Sequence, residues 1–265
     1  MPDWAAVILL GIIEGITEFL PVSSTGHLLL AENSHLLPRQ SELFNVVIQA
    51  GAVLAVFLVF WTRVTHLLLT LTERDTREYL LKLAVAFALT AAGGVLAKKA
   101  GFALPRDSWP VAWATLVGGV LILVIEWSVR HRRLGSDITW AIAVAVGLAQ
   151  LLAAVFPGTS RAASTILIGL ALGLNRPAST EFSFLLGIPT LFAASGYEIY
   201  TELKQPGLDP TDWSMVALGT LVSAVVAFLV VRWVLRWVQT HTFIAFGWYR
   251  VALGLFMVAM ANGSR

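Results

Sequence analysis

Glu14-Gly-Ile-Thr-Glu-Phe-Leu-Pro-Val-Ser-Ser-Thr-Gly-His27 is a polar, ionisable stretch set inside apolar sequence, and Pro157-Gly-Thr-Ser-Arg-Ala-Ala-Ser-Thr165 is a second. Each interrupts a hydrophobic region, about 4–30 and about 138–173, with proline, glycine, hydroxyls and charge. Proline removes a backbone donor and disfavours helix in the residue before it. Each region therefore reads as two helices meeting at a polar turn, either a kinked spanning helix with a surface tail or, as the internal repeat below favours, a re-entrant hairpin that enters and leaves on one side. Ionised groups are costly in a bilayer unless they face a protein-lined or wet cavity, which makes both stretches functional candidates. Together they hold two acids, an imidazole, a guanidinium and several hydroxyls, a set suited to phosphate chemistry.

The rest of the chain supplies the membrane context. Of 265 residues, 57% are hydrophobic and 13% charged, and mean hydropathy is +0.78. A soluble domain carries about twice that charged fraction. Apolar runs near 43–61, 83–97, 110–129, 182–199, 213–231 and 243–261 have spanning length or approach it. The expected class is an all-α polytopic membrane protein with about six spanning helices plus the two re-entrant hairpins. Cysteine is absent, so neither a disulfide framework nor a thiolate metal site exists. The N-terminus lacks a basic start and a small-residue cleavage site, so its apolar stretch is expected to belong to the mature fold. A net charge of +2 and the lack of a basic-aromatic patch give no reason to expect nucleic acid.

An internal repeat organises the chain. Phe19-Leu20-Pro21 before Ser23-Ser24 resembles Phe156-Pro157 before Thr159-Ser160, and Glu42-Leu43-Phe44 resembles Glu181-Phe182-Ser183. These anchors keep nearly constant spacing. The reading is one membrane domain over 1–265, built from two inverted-topology repeats, about 1–130 and about 138–265. Three crossings per half turn the second half upside down, an arrangement in which broken helices meet near mid-membrane.

Loop charge orients it. One side holds Arg63, Arg74, Arg77, Lys82, Arg130, Arg132, Arg133, Arg176, Arg232 and Arg236. The other holds Arg39, Lys98, Lys99, Arg106, Lys204 and Arg265. The richer side is expected to be cytoplasmic. Both termini, and the loop with Glu202 and Asp209, then lie outside.

Glu14 and Glu18 are four residues apart and share a helix face. Such a pair serves either as acid and base or as ligands for a hard divalent cation. Ser23, Ser24 and Thr25 stand where a helix begins, as caps or as part of an anion site; His27 lies one turn further in. Ser160 and Arg161 open the matching helix of the second half, and a guanidinium gives forked hydrogen bonds to phosphate oxygens. If the repeat holds, Arg161 faces Glu18 and His27 across one cavity. Glu181 suits a helix start or a functional role, Arg250 within the last span is expected to pair with an acid, and Glu126 and Glu198 are read as interfacial. Walker A, Rossmann and HExxH patterns are absent.

These motifs closely resemble the bacterial undecaprenyl pyrophosphate phosphatase, or bacitracin-resistance, family. The resemblance rests on the whole first motif, on Pro157-Gly-Thr-Ser-Arg161, and on Glu181-Phe-Ser-Phe-Leu-Leu186. It runs over essentially the full length. The family's second motif usually reads PGxSRSxxT; here Ala162 replaces a serine, and Ser164 is not an automatic substitute. The resemblance implies a multi-pass inner-membrane enzyme that removes the terminal phosphate of undecaprenyl pyrophosphate, with the active site facing the periplasm. It also implies a divalent-ion requirement, Mg²⁺ or Ca²⁺, and bacitracin resistance on overproduction. Expected partners are the lipid substrate and bilayer lipid, with a homodimer left open. In this frame Glu14 and Glu18 bind the cation. Ser24 is the candidate nucleophile, with His27 or Glu18 as base; His27 or activated water as attacking group stays open. Ser23, Thr25, Ser160, Arg161 and Thr165 hold the phosphates. The competing function is a transporter or flippase for an isoprenyl phosphate lipid, since broken helices in inverted repeats also build transporters.

Overall fold

A computed structural model of the chain describes residues 2–33, 37–100, 108–204 and 212–263. Arg106, Asp209 and Arg265, and the side chains of Glu42 and Lys98, lie outside the described residues. The described residues form helices α1 (Asp3–Thr17), α2 (Ser24–Asn33), α3 (Glu42–Val59), α4 (Trp61–Leu69), α5 (Arg74–Lys99), α6 (Ser108–Val129), α7 (Trp140–Val155), α8 (Arg161–Ala171), α9 (Arg176–Lys204), α10 (Trp213–Trp237) and α11 (Ile244–Gly263). No strand occurs among them; one isolated bridge joins Gly135 to Leu174.

Among the described residues five helices are long and apolar enough to cross a bilayer: α5, α6, α9, α10 and α11. α3 and α4 make a sixth when taken together, bent by 65°. The protein is thus a multi-pass, all-helical membrane protein. α1 has 15 residues and α7 has 16, about 22–24 Å at 1.5 Å per residue, which is short of a hydrocarbon core of about 30 Å.

The breaks fall where the backbone chemistry changes. Ser23 and Ser160 both have positive φ, 76° and 69°, values costly for residues with a Cβ. Each then starts a helix. The Ser23 Oγ accepts the Gly26 N–H at 3.2 Å and the Ser160 Oγ accepts the Ala163 N–H at 3.2 Å, which satisfies one orphan donor of each first turn. Gly158, at φ +94°, has no room for a Cβ, which would lie 2.5 Å from the Val111 carbonyl. α10 begins at Asp212, whose exposed carboxylate accepts from the Ser214 hydroxyl and from the N–H groups of Ser214 and Met215. These bonds, the hydroxyl's first, hold it below the usual carboxylate range.

Packing leaves lipid-type side chains outside and a few polar ones inside. Leu69, Leu96, Trp127, Leu221, Leu229 and Trp248 are exposed, whereas Glu14, Glu18, Ser23, Glu126, Gln150 and Arg250 are buried. α1 lies on α10, α7 on α5, and α11 on α6. The first contact is close: a Cβ at Gly15 would lie 2.7 Å from the Ser223 carbonyl, the small-residue approach expected where lipid supplies no hydrophobic drive. Phe19, Val56, Ala162, Ile166, Phe184 and Val231 form the central core around the two polar turns.

Two expectations change. Glu126 lies near the end of its span, but enclosed in protein rather than at its surface. It is buried, accepts from Arg176 Nε at 2.9 Å and from Arg176 Nη2, and takes the Phe243 N–H at 2.7 Å. It sits in the last turn of α6 but faces the entry of α11, so a backbone donor and a cation enclose it. Among the described residues Arg250 pairs with no acid; carbonyl oxygens take that place.

Candidate active site

Glu18 sits just past the C-terminus of α1, in the turn that reverses the chain into α2. Its Oε2 accepts the Ser24 hydroxyl at 2.7 Å. Its Oε1 accepts Arg161 Nε and Nη2 at 3.3 and 3.2 Å. One buried carboxylate thus joins the first residue of α2 to the first residue of α8, and its contact with Arg161 spans 143 positions of sequence. The stretches that stood out in the sequence meet here.

Arg161 is held on all sides. Nη1 donates to the Ser183 carbonyl at 3.4 Å, and the guanidinium carbon lies 5.1 Å from the Phe19 ring centroid. Gly187 makes room for it, since a Cβ there would lie 2.7 Å from Nη1. A guanidinium has five N–H groups. Nε, one hydrogen of Nη1 and one of Nη2 are engaged, which leaves two for an arriving oxyanion.

Glu14 is fully buried, and among the described residues neither of its carboxylate oxygens has a donor from hydroxyl, amide or cationic side chains or from the backbone. Two orphaned carboxylate oxygens one turn from Glu18 fit a proton or a hard cation. Among the described residues no cluster of three His, Cys, Asp or Glu side chains is present. A cation held by Glu14 and Glu18 would therefore take its other oxygens from hydroxyls, carbonyls, substrate or water.

His27 does not reach Glu18 or Ser24. Its Nδ1 lies 2.7 Å from the Ser23 carbonyl. A carbonyl only accepts, so Nδ1 carries the proton. In the neutral ring Nε2 then accepts the Tyr249 hydroxyl at 2.7 Å, with the rings stacked 5.7 Å apart. Tyr249, Ser183 and Gly187 are site neighbours that sequence reading missed. Tyr249 reads as one more aromatic of an apolar span, and the other two act through a carbonyl and through empty space.

The remaining expected residues divide. Thr25 is exposed beside Ser24, and beyond the capped Gly26 and Ala163 the N–H groups of Ser24, Thr25, Arg161 and Ala162 have no backbone acceptor among the described residues, leaving two helix starts open to an anion. Ser23 and Ser160 use their hydroxyls as caps. Thr165 is 1% exposed and donates to the Arg161 carbonyl at 2.8 Å, with Ser183 Oγ 2.5 Å away. It faces α9 and supports the helix that carries Arg161. Ala162 is wholly buried, and the Ser164 hydroxyl donates to the Ser160 carbonyl at 3.0 Å; it tightens the turn rather than standing in for a serine at 162. Glu181 lies elsewhere, paired with Arg63 Nε at 2.9 Å.

The model for the bacitracin resistance protein BacA family matches residues 7–256. The chain belongs to that family. Undecaprenyl-diphosphatase of Rhizobium etli (strain CIAT 652) is 46% identical over 261 residues, 98% of each chain. Undecaprenyl-diphosphatase of Xanthomonas oryzae pv. oryzae (strain PXO99A) is 49% identical over 255 residues, 96% of each. That of Xylella fastidiosa (strain 9a5c) is 48% identical over 252 residues, 95% of this chain and 96% of its own. Membership in the BacA family thus covers both polar turns and every helix that carries a site residue.

Proposed function

We propose that this protein hydrolyses undecaprenyl pyrophosphate to undecaprenyl phosphate and inorganic phosphate, with Glu18 as the centre of the site. The observation that carries the mechanism is the single carboxylate bonded to both Ser24 and Arg161. Ser24 Oγ attacks the terminal phosphorus as its proton passes to Glu18. The bond from that phosphorus to the bridging oxygen breaks, and undecaprenyl phosphate leaves. Water then cleaves the phosphoserine and releases phosphate. Arg161, Thr25 and the open N–H groups of α2 and α8 hold the phosphoryl oxygens and stabilise charge on the transferring group. Ser23, Ser160 and Thr165 keep those groups in place. His27, with its lone pair under the Tyr249 hydroxyl, acts on the second proton transfer.

Glu14 and Glu18 would hold a divalent cation, Mg²⁺ or Ca²⁺, with phosphate oxygens. Bound there, it would neutralise phosphate charge. The orphaned oxygens of Glu14 support this assignment.

The topology proposed is two inverted repeats, about 1–130 and about 138–265, with α1–α2 and α7–α8 as re-entrant pairs. It draws support from the matched strained serines and from the crossed packing, α1 on the second half's α10 and α7 on the first half's α5. Loop charge supports an inner-membrane protein with periplasmic site and termini.

Phosphate release from undecaprenyl pyrophosphate by purified protein in detergent tests the activity. Release that rises with added Mg²⁺ and falls with chelator is expected. No release from folded protein under any divalent ion would favour lipid transport instead. Light scattering on the same sample decides between one copy and a homodimer. His27→Gln is expected to lose about a hundredfold in kcat/KM, the low end for a proton-transfer group. Tyr249→Phe removes one hydrogen bond and is expected to cost less than about tenfold. Equal losses would make the phenol itself a participant.

A further inference from the structure

Arg250 is the largest fully buried side chain, and it lies on α11, outside both motifs. Its guanidinium spends all five N–H groups on carbonyl oxygens. Nε donates to Thr115 at 3.2 Å. Nη1 donates to Pro21 at 3.4 Å and to Thr159 at 2.9 Å. Nη2 donates to Ala114 at 3.1 Å and to Gly158 at 2.9 Å. Pro21 lies in the first polar turn, Gly158 and Thr159 in the second, and Ala114 and Thr115 on α6. No acid pairs with Arg250 among the described residues.

We propose that Arg250 is a positioning residue of the hydrolytic site, clamping the two polar turns to α6 and so fixing where Ser24 and Arg161 meet Glu18. The two arginines do different work. Arg161 keeps two N–H groups free for a ligand, whereas Arg250 has none to offer and can only hold. Five acceptors on three segments need a planar fork. A lysine has three donors at one point and cannot span them. Arg250 also brings a charge that no carboxylate cancels, beside both turns.

This rests on the assignment of Ser24, Glu18 and Arg161 above, and the test separates the two. Gly118 packs against the guanidinium: a Cβ there would lie 2.2 Å from Nη2. Gly118→Ala therefore displaces the clamp without removing its charge. Arg250→Lys keeps the charge without the fork, and Arg250→Met keeps neither. Turnover is measured per folded protein, with Glu18→Gln as the site control. Gly118→Ala and Arg250→Lys are each expected to lower kcat about tenfold or more, a modest displacement of reacting groups, with KM within about threefold of the parent. Arg250→Met is expected to lose more. The Gly118→Ala, Arg250→Lys double variant is expected to lose little beyond Arg250→Lys, because both act through one contact. Normal kcat in folded Gly118→Ala and Arg250→Lys, with Glu18→Gln inactive, overturns the clamp and leaves the site. Losses that merely follow the folded fraction, or that multiply in the double variant, also overturn it. An active Glu18→Gln overturns the site and the clamp with it.

Discussion

Arg161→Ala is expected to reduce kcat by about a thousandfold or more, the scale of losing a preorganised donor to a developing oxyanion, about 4 kcal/mol of barrier. Arg161 reaches Glu18 through two donors and retains two free N–H groups. A phosphoryl oxygen binding those groups draws the guanidinium from Glu18, and the carboxylate becomes free to take the Ser24 proton. The alanine variant loses both the phosphate contact and this exchange. Removing one partner of a buried pair also costs about 3–5 kcal/mol of stability. The comparison is therefore made per folded protein. Arg161→Lys restores a point charge but not the fork, and an intermediate rate is expected. Phosphate release from purified, folded variants reads the result. Near-normal turnover by Arg161→Ala would remove Arg161 from the reaction and the site with it.

How far the sequence foretold this arrangement depends on what carried each contact. Pro21, Gly26, Pro157 and Gly158 marked the breaks because they change backbone chemistry, and side-chain types marked Glu18, Ser24 and Arg161. The six apolar runs correspond to helices, and the short one near 83–97 grows into α5, whose charged first turns are supported by the Lys82–Glu78 pair at 2.7 Å. The break at Phe60 between α3 and α4 was not legible, since Phe60-Trp61 contains no helix breaker. Arg250 was misread for a related reason. Its partners are carbonyls, which every residue has, so no residue type announces them. His27 was expected to face Arg161 because the internal repeat brings the two polar turns together. The Ser23 carbonyl instead orients the ring toward α11.

Ser24→Ala carries the second large effect, and it separates the two ways of cleaving the anhydride. The hydroxyl already donates to Glu18 at 2.7 Å, so its oxygen keeps its lone pairs for attack and its proton has a receiver. If Ser24 is the nucleophile, the alanine variant loses about ten-thousandfold or more, as when a covalent step is removed from a unit that acts together. The parent enzyme, quenched in acid during turnover, then carries phosphate on Ser24, and mass spectrometry of the peptide detects it. If the hydroxyl only orients a water beside Glu18, the loss stays within about a hundredfold, the value of a positioning contact, and no phosphopeptide forms. Glu18→Gln distinguishes the routes less well, because a base is required in both. A fast Ser24→Ala variant without phosphoenzyme would therefore transfer the attack to water while leaving Glu18 and Arg161 in their roles. The size of the Ser24 effect, read together with the trapped phosphate, decides what the 2.7 Å bond is for.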